Sequence, residues 1–295
     1  MRYLILNADD FGLCPAANEA VERLFAADAL SSATLMVPAP CASDGIERAK
    51  RNKKMRIGLH ITTTCEYDAL SFGAVDKTCQ SLMQADGSFY QTARENLAHA
   101  TKEDMLREID AQYRWMVDRD VPPEHVDSHM ATVYGLHGFS CMDAVLSLCS
   151  QHNLHFRFPK MPETFSPDVP ASLRTVARET AKKAASLGVG LPDGLFTYDF
   201  DVKPQDSYEA FRGRYMEMVQ RCPEGISELF MHPCIETEQL KQINAQWKKR
   251  VWEFQVLLDP VFRECISREN ITLTAYGDAP FVFAHNDSDG EPRFE

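Results

Sequence analysis

Residues 4–12 read LILNADDFG. Leu4, Ile5 and Leu6 form a short apolar run that reads as a buried strand, and Gly12 with Pro15 marks a turn that opens a helix. Asp9 and Asp10 stand side by side where the run ends. Two adjacent like charges repel, and burial penalises both ionised forms. A chain that puts them there needs something to neutralise them.

Outward from this stretch, short apolar runs alternate with amphipathic segments. Strands are expected at Arg2–Ala8, Ala33–Val37, Met55–Ile61, His125–Ser128, His155–Phe158, Ser227–His232 and Ile271–Tyr276. Helices are expected at Pro15–Ala27, Ser43–Lys53, Lys102–Asp118, Phe139–Gln151, Ala171–Leu187, Ser207–Gln220 and Gln246–Glu269. The first helix carries Ala17, Ala20, Val21, Leu24 and Phe25 on one stripe. The third carries Met105, Ile109, Tyr113 and Met116, with Thr101 and Asp104 as a near capping box. Such alternation predicts an α/β fold with parallel strands and outer helices. About seven βα repeats favour a closed or nearly closed (β/α) barrel over an open sheet.

The whole of 1–295 reads as one domain. Thr62–Thr101, polar and rich in Gly, Ser and Asp, is expected to be a hairpin or lid inserted into it rather than core. Residues 285–295 are expected to be a flexible tail. The chain is globular, 44% hydrophobic and 25% charged. No apolar run approaches the roughly 18 residues of a membrane span. The direct start on a strand is expected for a cytoplasmic protein. Nine Cys without a CxxC suit reduced, mostly buried thiols. A net charge of −12 disfavours nucleic acid and anionic membranes and suits a small neutral or cationic substrate.

Chemistry-bearing residues end the apolar runs. The first ends in Asp9-Asp10, MRIGLHI delivers His60, EHVDSH delivers His125, Asp127 and His129, and ELFMHPC delivers His232 before Pro233. In a parallel α/β fold all strand carboxyl ends share one face, where active sites form. Each signal alone has an ordinary reading: a strand-end Asp caps a helix, a single His is a hydrogen-bonded core residue. Together at four strand ends they predict one constellation. His125, Asp127 and His129 share a strand face by period two, and Asp127 could orient a ligating His. One divalent cation answers the acid pair, one Asp ligating it and the other serving as an ionised base. His99, His137, His152, His155 and His285 are read as surface or packing residues, and Cys234 as a buried thiol. Asp199 and Asp201 are read as solvated loop carboxylates.

NADDFG, GLH, HVDSH and a late HP, in this order, resemble the YdjC-type carbohydrate deacetylase family, which includes chitooligosaccharide deacetylases. The resemblance runs from residue 2 to about 235, with the alternating pattern continuing towards 285. It implies a barrel-like α/β fold and a divalent metal, Mg²⁺ or Zn²⁺, used to hydrolyse acetamido groups on sugars. By the same resemblance Asp10, His60 and His129 are the metal ligands, Asp9 is the general base, and His232 is the acid that protonates the departing amine. Arg157 falls where the family often carries an Arg that braces the pocket carboxylates. His125 and Asp127 are expected beside the ligands or in the substrate pocket. An imidazolium with a pKa near neutrality is the expected donor at His232. Met130-Ala131-Thr132 after DSH and Cys234 after HP depart from the usual pattern and are expected to reshape the pocket wall. The expected partner is a small acetamido sugar, with a homodimer compatible. Other classes fit less well. A phosphorelay receiver needs an Asp where His60 stands, a phosphoesterase lacks a Gly-rich cradle, and an inactive sugar-binding scaffold would not need the full acid–base set.

Overall fold

The computed structural model describes residues 1–283, apart from 68, 199–201, 204 and 205. In chain order its elements are β1 (Arg2–Phe11), α1 (Pro15–Ala26), β2 (Ser32–Leu35), α2 (Ala42–Arg51), β3 (Ile57–Ile61), α3 (Ala93–His99), α4 (Lys102–Val117), β4 (His125–Ser128), α5 (Met142–His152) and β5 (His155–Phe156). They continue with α6 (Ala171–Ser186), β6 (Gly194–Phe196), α7 (Tyr208–Gln220), β7 (Gly225–Met231), α8 (Glu238–Ile243), α9 (Trp247–Leu258), α10 (Pro260–Arg268) and β8 (Ile271–Leu273). The tail expected at 285–295, with His285, and the carboxylates Asp199 and Asp201 lie outside the described residues.

All strand pairs are parallel, in the order β5-β4-β3-β2-β1-β7-β6. β7 lines one edge of β1, and β8 followed by β2 shares the other. The free edges meet through irregular backbone. The Phe156 N–H donates to the Gly190 carbonyl at 3.0 Å, and the Lys160 and Met161 amides donate to Pro192 and Asp193 just before β6. The result is a barrel-like parallel sheet wrapped by helices, as the sequence predicts.

Parity along each strand separates two environments. Leu4, Leu6 and Ala8 face outward into the main core shared with Val21, Leu24, Ile46 and Val256. Ile5 faces inward and packs with Ile226 and Tyr276 in a small apolar plug. Above that plug the interior turns polar, with Asn7, Asp9, Ser32, Thr34, His60, Asp127 and Glu228 all buried. The floor is tight: a Cβ on Gly58 would come within 2.4 Å of the His125 ring.

Three expectations need correction. The single helix Gln246–Glu269 is two, because Pro260 lacks the N–H that a continuous helix needs, and Asp259 caps the second by accepting from Val261 N at 2.8 Å. β6, α3 and α8 are additional. Thr62–Thr101 contains one antiparallel bridge, Met83 to Phe89, but it is not free of core: Tyr67, Phe72, Cys79, Leu82 and Phe89 are buried in the main cluster.

Helix α4 holds this excursion down. Glu108 accepts the Val75 and Asp76 amides at 2.9 Å each, and Gln112 both accepts from Thr62 N and donates to Thr62 O. Glu108→Ala strands two backbone donors, at a cost of about 2–4 kcal/mol. In a chain of this size that lowers Tm by roughly 3–6 °C. Amide exchange at Val75 and Asp76 should accelerate along with the drop in Tm; unchanged exchange there would contradict the tether.

Candidate active site

A regular strand would point Asp9 and Asp10 to opposite faces. The chain avoids this at Asp10, whose φ of 61° is left-handed, while the β1–β2 register slips by one residue between Ala8 and Phe11. Asp tolerates this region better than most side chains. The bulge re-aims Asp10, and both carboxylates line one cavity of about 910 Å³.

Two imidazoles converge on Asp10. His60 Nε2 lies 3.4 Å and His129 Nδ1 3.6 Å from Asp10 Oδ1, and the two ring nitrogens are 3.3 Å apart. Each imidazole is turned by a carboxylate on its other nitrogen: Asp127 Oδ1 lies 2.6 Å from His60 Nδ1, and Glu66 Oε2 lies 2.8 Å from His129 Nε2. Such partners fix which nitrogen carries the proton and leave the other as a ligand. Asp10 Oδ1 is buried without a hydrogen-bond partner. An orphaned carboxylate oxygen facing two imidazole nitrogens is a donor set that fits a divalent cation.

Electrostatics points the same way. Burial by itself lowers the His60 pKa, yet Asp127, Asp10 and Asp9 outweigh it and lift the ring to about 10. The cluster thus calls for positive charge where the nitrogens face one another. Burial would raise Asp10, but Arg250, with Nη2 2.7 Å from Oδ2, and the neighbouring His rings hold it well below the usual carboxylate range.

Asp9 is held differently. Arg157 grips it with two parallel bonds of 2.7 Å, and Asn7 Nδ2 donates to Oδ1 at 2.8 Å. The same guanidinium reaches Asp127 at 2.8 Å and Glu228 at 2.6 Å, and lies over the Phe230 ring. Across from it, His232 Nε2 is 4.0 Å from Asp9 Oδ2. Burial pushes the His232 pKa down to about 3, so the imidazolium expected from the sequence is not its resting form in this geometry. The His232 backbone N–H donates to Glu253, which also accepts from Lys249 and Tyr215. Cys234 is buried beside Cys14, Sγ to Sγ 4.0 Å.

Asp9, Asp10, His60, His129, Arg157 and His232 therefore meet on one cavity. Asp127 sits behind His60. His125 is not brought to the cavity: both its nitrogens are buried without partners, and it stacks on Tyr276 at 4.0 Å. Its position one strand pleat below Asp127 is the reason. His137, read as a surface or packing residue, lines the cavity. Sequence reasoning missed Glu66, Tyr67, Glu228, Lys249, Arg250 and Glu253. Of these only Glu228 left a signal, as a carboxylate inside the apolar strand GISELFM.

Burial pulls His125 to about 3 and His155 to about 4. Unfolding returns both to about 6.5, so below that value the unfolded chain binds more protons and stability falls as pH drops from 6.5 towards 4. Melting curves across that range should show the decline, and His125→Leu should flatten it while keeping the metal content of the wild type. An undiminished slope in the variant would contradict a buried neutral His125.

The model of the YdjC-like protein family matches residues 3–268. A carbohydrate deacetylase of Geobacillus stearothermophilus is 25% identical over 276 residues, covering 93% of this chain and 97% of its own. One from Thermoanaerobacter pseudethanolicus is 25% identical, covering 94% and 98%. Among solved structures, an Enterococcus faecalis protein described as a cellobiose-phosphate cleavage protein superposes with a TM-score of 0.74 at 22% identity, covering 93% of this chain and 97% of that one, and shares the fold. With nine-tenths of its length matched by one family model, on a barrel whose strand ends gather the acid pair and the histidines, this chain belongs to the YdjC-like family.

Proposed function

We propose that this protein is a metal-dependent hydrolase that removes the acetyl group from an N-acetylated sugar. The observation that carries the reading is the convergence of Asp10 Oδ1, His60 Nε2 and His129 Nδ1 beside an Arg-tethered Asp9 in one cavity. The names of the deacetylase relatives support it. Arg157 and Arg250 are already engaged by carboxylates, which speaks against a phosphate cradle.

Asp10, His60 and His129 would hold the cation. A divalent ion there supplies Lewis-acid polarisation of a carbonyl and acidifies water. In the reaction, water adds its oxygen to the acetyl carbon, the C–N bond breaks, and acetate and a free amine result. Asp9 takes the proton from the attacking water. The bidentate Arg157 fixes the direction of its carboxylate, so little reorganisation is needed. His232, across from Asp9, delivers a proton to the departing nitrogen, since an amine anion is too poor a leaving group to go unprotonated. A ring that is neutral at rest gains its proton during turnover from the one Asp9 has removed.

Acetate release should appear in a screen of N-acetylglucosamine, its oligomers and related acetamido sugars. Elemental analysis should find about one Zn²⁺ or Mg²⁺ per chain. His60→Ala and His129→Ala should lose it, and Asp9→Asn should keep it without turnover. Full activity in rigorously metal-free protein would overturn the mechanism.

For His232→Ala, kcat on an acetamide should fall about 10²–10⁴-fold, the usual worth of a general acid, with metal retained. An acetyl ester should suffer less, because its alcohol leaves more readily. Equal losses on amide and ester would remove His232 from the acid role.

A further inference from the structure

Ten large apolar side chains are exposed among the described residues, and five of them, Met130, Leu136, Phe165, Leu173 and Val176, line the cavity of the acid pair. Leu136 is 52% exposed, Phe165 49% and Val176 44%. Scattered single apolar residues need no explanation, but a contiguous patch beside a site does. These come from three separate segments: the loop after β4, the loop after β5, and the first turns of α6. The apolar surface is continuous with the reacting centre. Phe165 stacks on Phe230 with centroids 6.4 Å apart, and Phe230 lies under the Arg157 guanidinium that grips Asp9.

This wall is poorly made for a sugar chain. Aliphatic side chains offer sugar hydroxyls no partner, and each hydroxyl desolvated there would go unpaired. A hydrocarbon loses nothing on the same surface and gains from leaving water. The cavity, about 910 Å³, also stands near the top of the roughly 300–1,000 Å³ range of pockets for drug-sized ligands, with room beyond one acetamido ring.

Resting on the deacetylase reading for the chemistry, we propose that the substrate is an amphiphile: an N-acylated amino sugar carrying a hydrocarbon chain that lies along Phe165, Leu173 and Val176. The chain can be attached through the anomeric oxygen or as a long N-acyl group, and the same wall serves either.

The test compares methyl and octyl N-acetyl-β-glucosaminides, with N-octanoylglucosamine as the second attachment, all below their micellar concentrations. Each buried methylene is worth about fourfold in affinity, so three give a preference of about sixtyfold in kcat/KM for one of the octyl compounds. Leu173→Ser combined with Val176→Ser should cut that ratio about tenfold or more; both residues are exposed, so the change spares the core. Calorimetry with the amine products, methyl and octyl glucosaminide, reads binding by the wild-type protein without turnover. Preferential binding of the octyl amine without acetate release from any substrate would leave the apolar subsite standing and refute the deacetylase reading. Acetate release at equal rates from methyl and octyl compounds, with no N-octanoyl preference, would refute the subsite and leave the deacetylase. A double variant that keeps the octyl preference but turns a dimer into a monomer by light scattering would assign the wall to a second copy of this chain and overturn the proposal.

Discussion

One guanidinium holds the interior of this barrel together. Arg157, just past the end of β5, reaches Asp9 from β1, Asp127 from β4 and Glu228 from β7. These carboxylates are buried, and ionised groups without partners in such a place would carry a penalty of several kcal/mol each. A planar fork can serve several oxygens at once with fixed directions, which an ammonium cannot. The network is completed by neutral donors: Tyr276 on Glu228, Asn7 on Asp9 and Thr34 on Asp127. Even so, one guanidinium faces three carboxylates, burial raises the Glu228 carboxyl, and Asp127 also meets His60 at 2.6 Å beside Asp10. The charge that Arg157 leaves uncompensated is what a divalent cation would supply.

The same arrangement separates two adjacent aspartates into two kinds of group. Asp9 faces inward by ordinary strand alternation and is locked to Arg157. Asp10 reaches the cavity only through a left-handed residue and a register slip, and keeps one oxygen free of hydrogen bonds. A carboxylate held in a fixed direction with acceptor capacity left on Oδ2 suits proton transfer, and one with an open oxygen beside two imidazoles suits a ligand. Backbone conformation, rather than residue type, makes the distinction.

That explains how much could be read in advance. β4 and the starts of β1, β5, β8, α1, α4 and α6 are legible because apolar runs and caps are local signals, and Asp9, Asp10, His60, His129 and His232 stand out because they end those runs. β6 was missed because three residues, GLF, carry no period. Arg250 gives no sign because the run Lys248-Lys249-Arg250 on α9 reads as a solvated face until Arg250 is seen to reach Asp10. Glu66 lies in an irregular stretch whose path is set by α4, and no local rule leads from its position to His129. His125 was expected near the ligands because period two puts it on their face; the period says which side a residue faces, and depth along the barrel decides what it meets.

Chemistry and selectivity sit on different parts of the chain. Asp9, Asp10 and His60 ride on strands whose register is enforced on both edges, and His129 directly follows another, so their spacing tolerates little drift. Much of the cavity wall comes from connections. Met130 and Ala131, in the connection after β4, both have positive φ, 48° and 57°, a conformation that costs non-glycine residues about 1–3 kcal/mol each. Buried Thr132, bonded to Thr63 and Ser128, holds the segment on its far side. The kink directs Met130, 38% exposed, to the cavity directly after His129. Strain retained beside His129, with an apolar side chain as its product, puts this part of the cavity wall on a connection rather than a strand, as is usual for binding surfaces carried by a rigid scaffold.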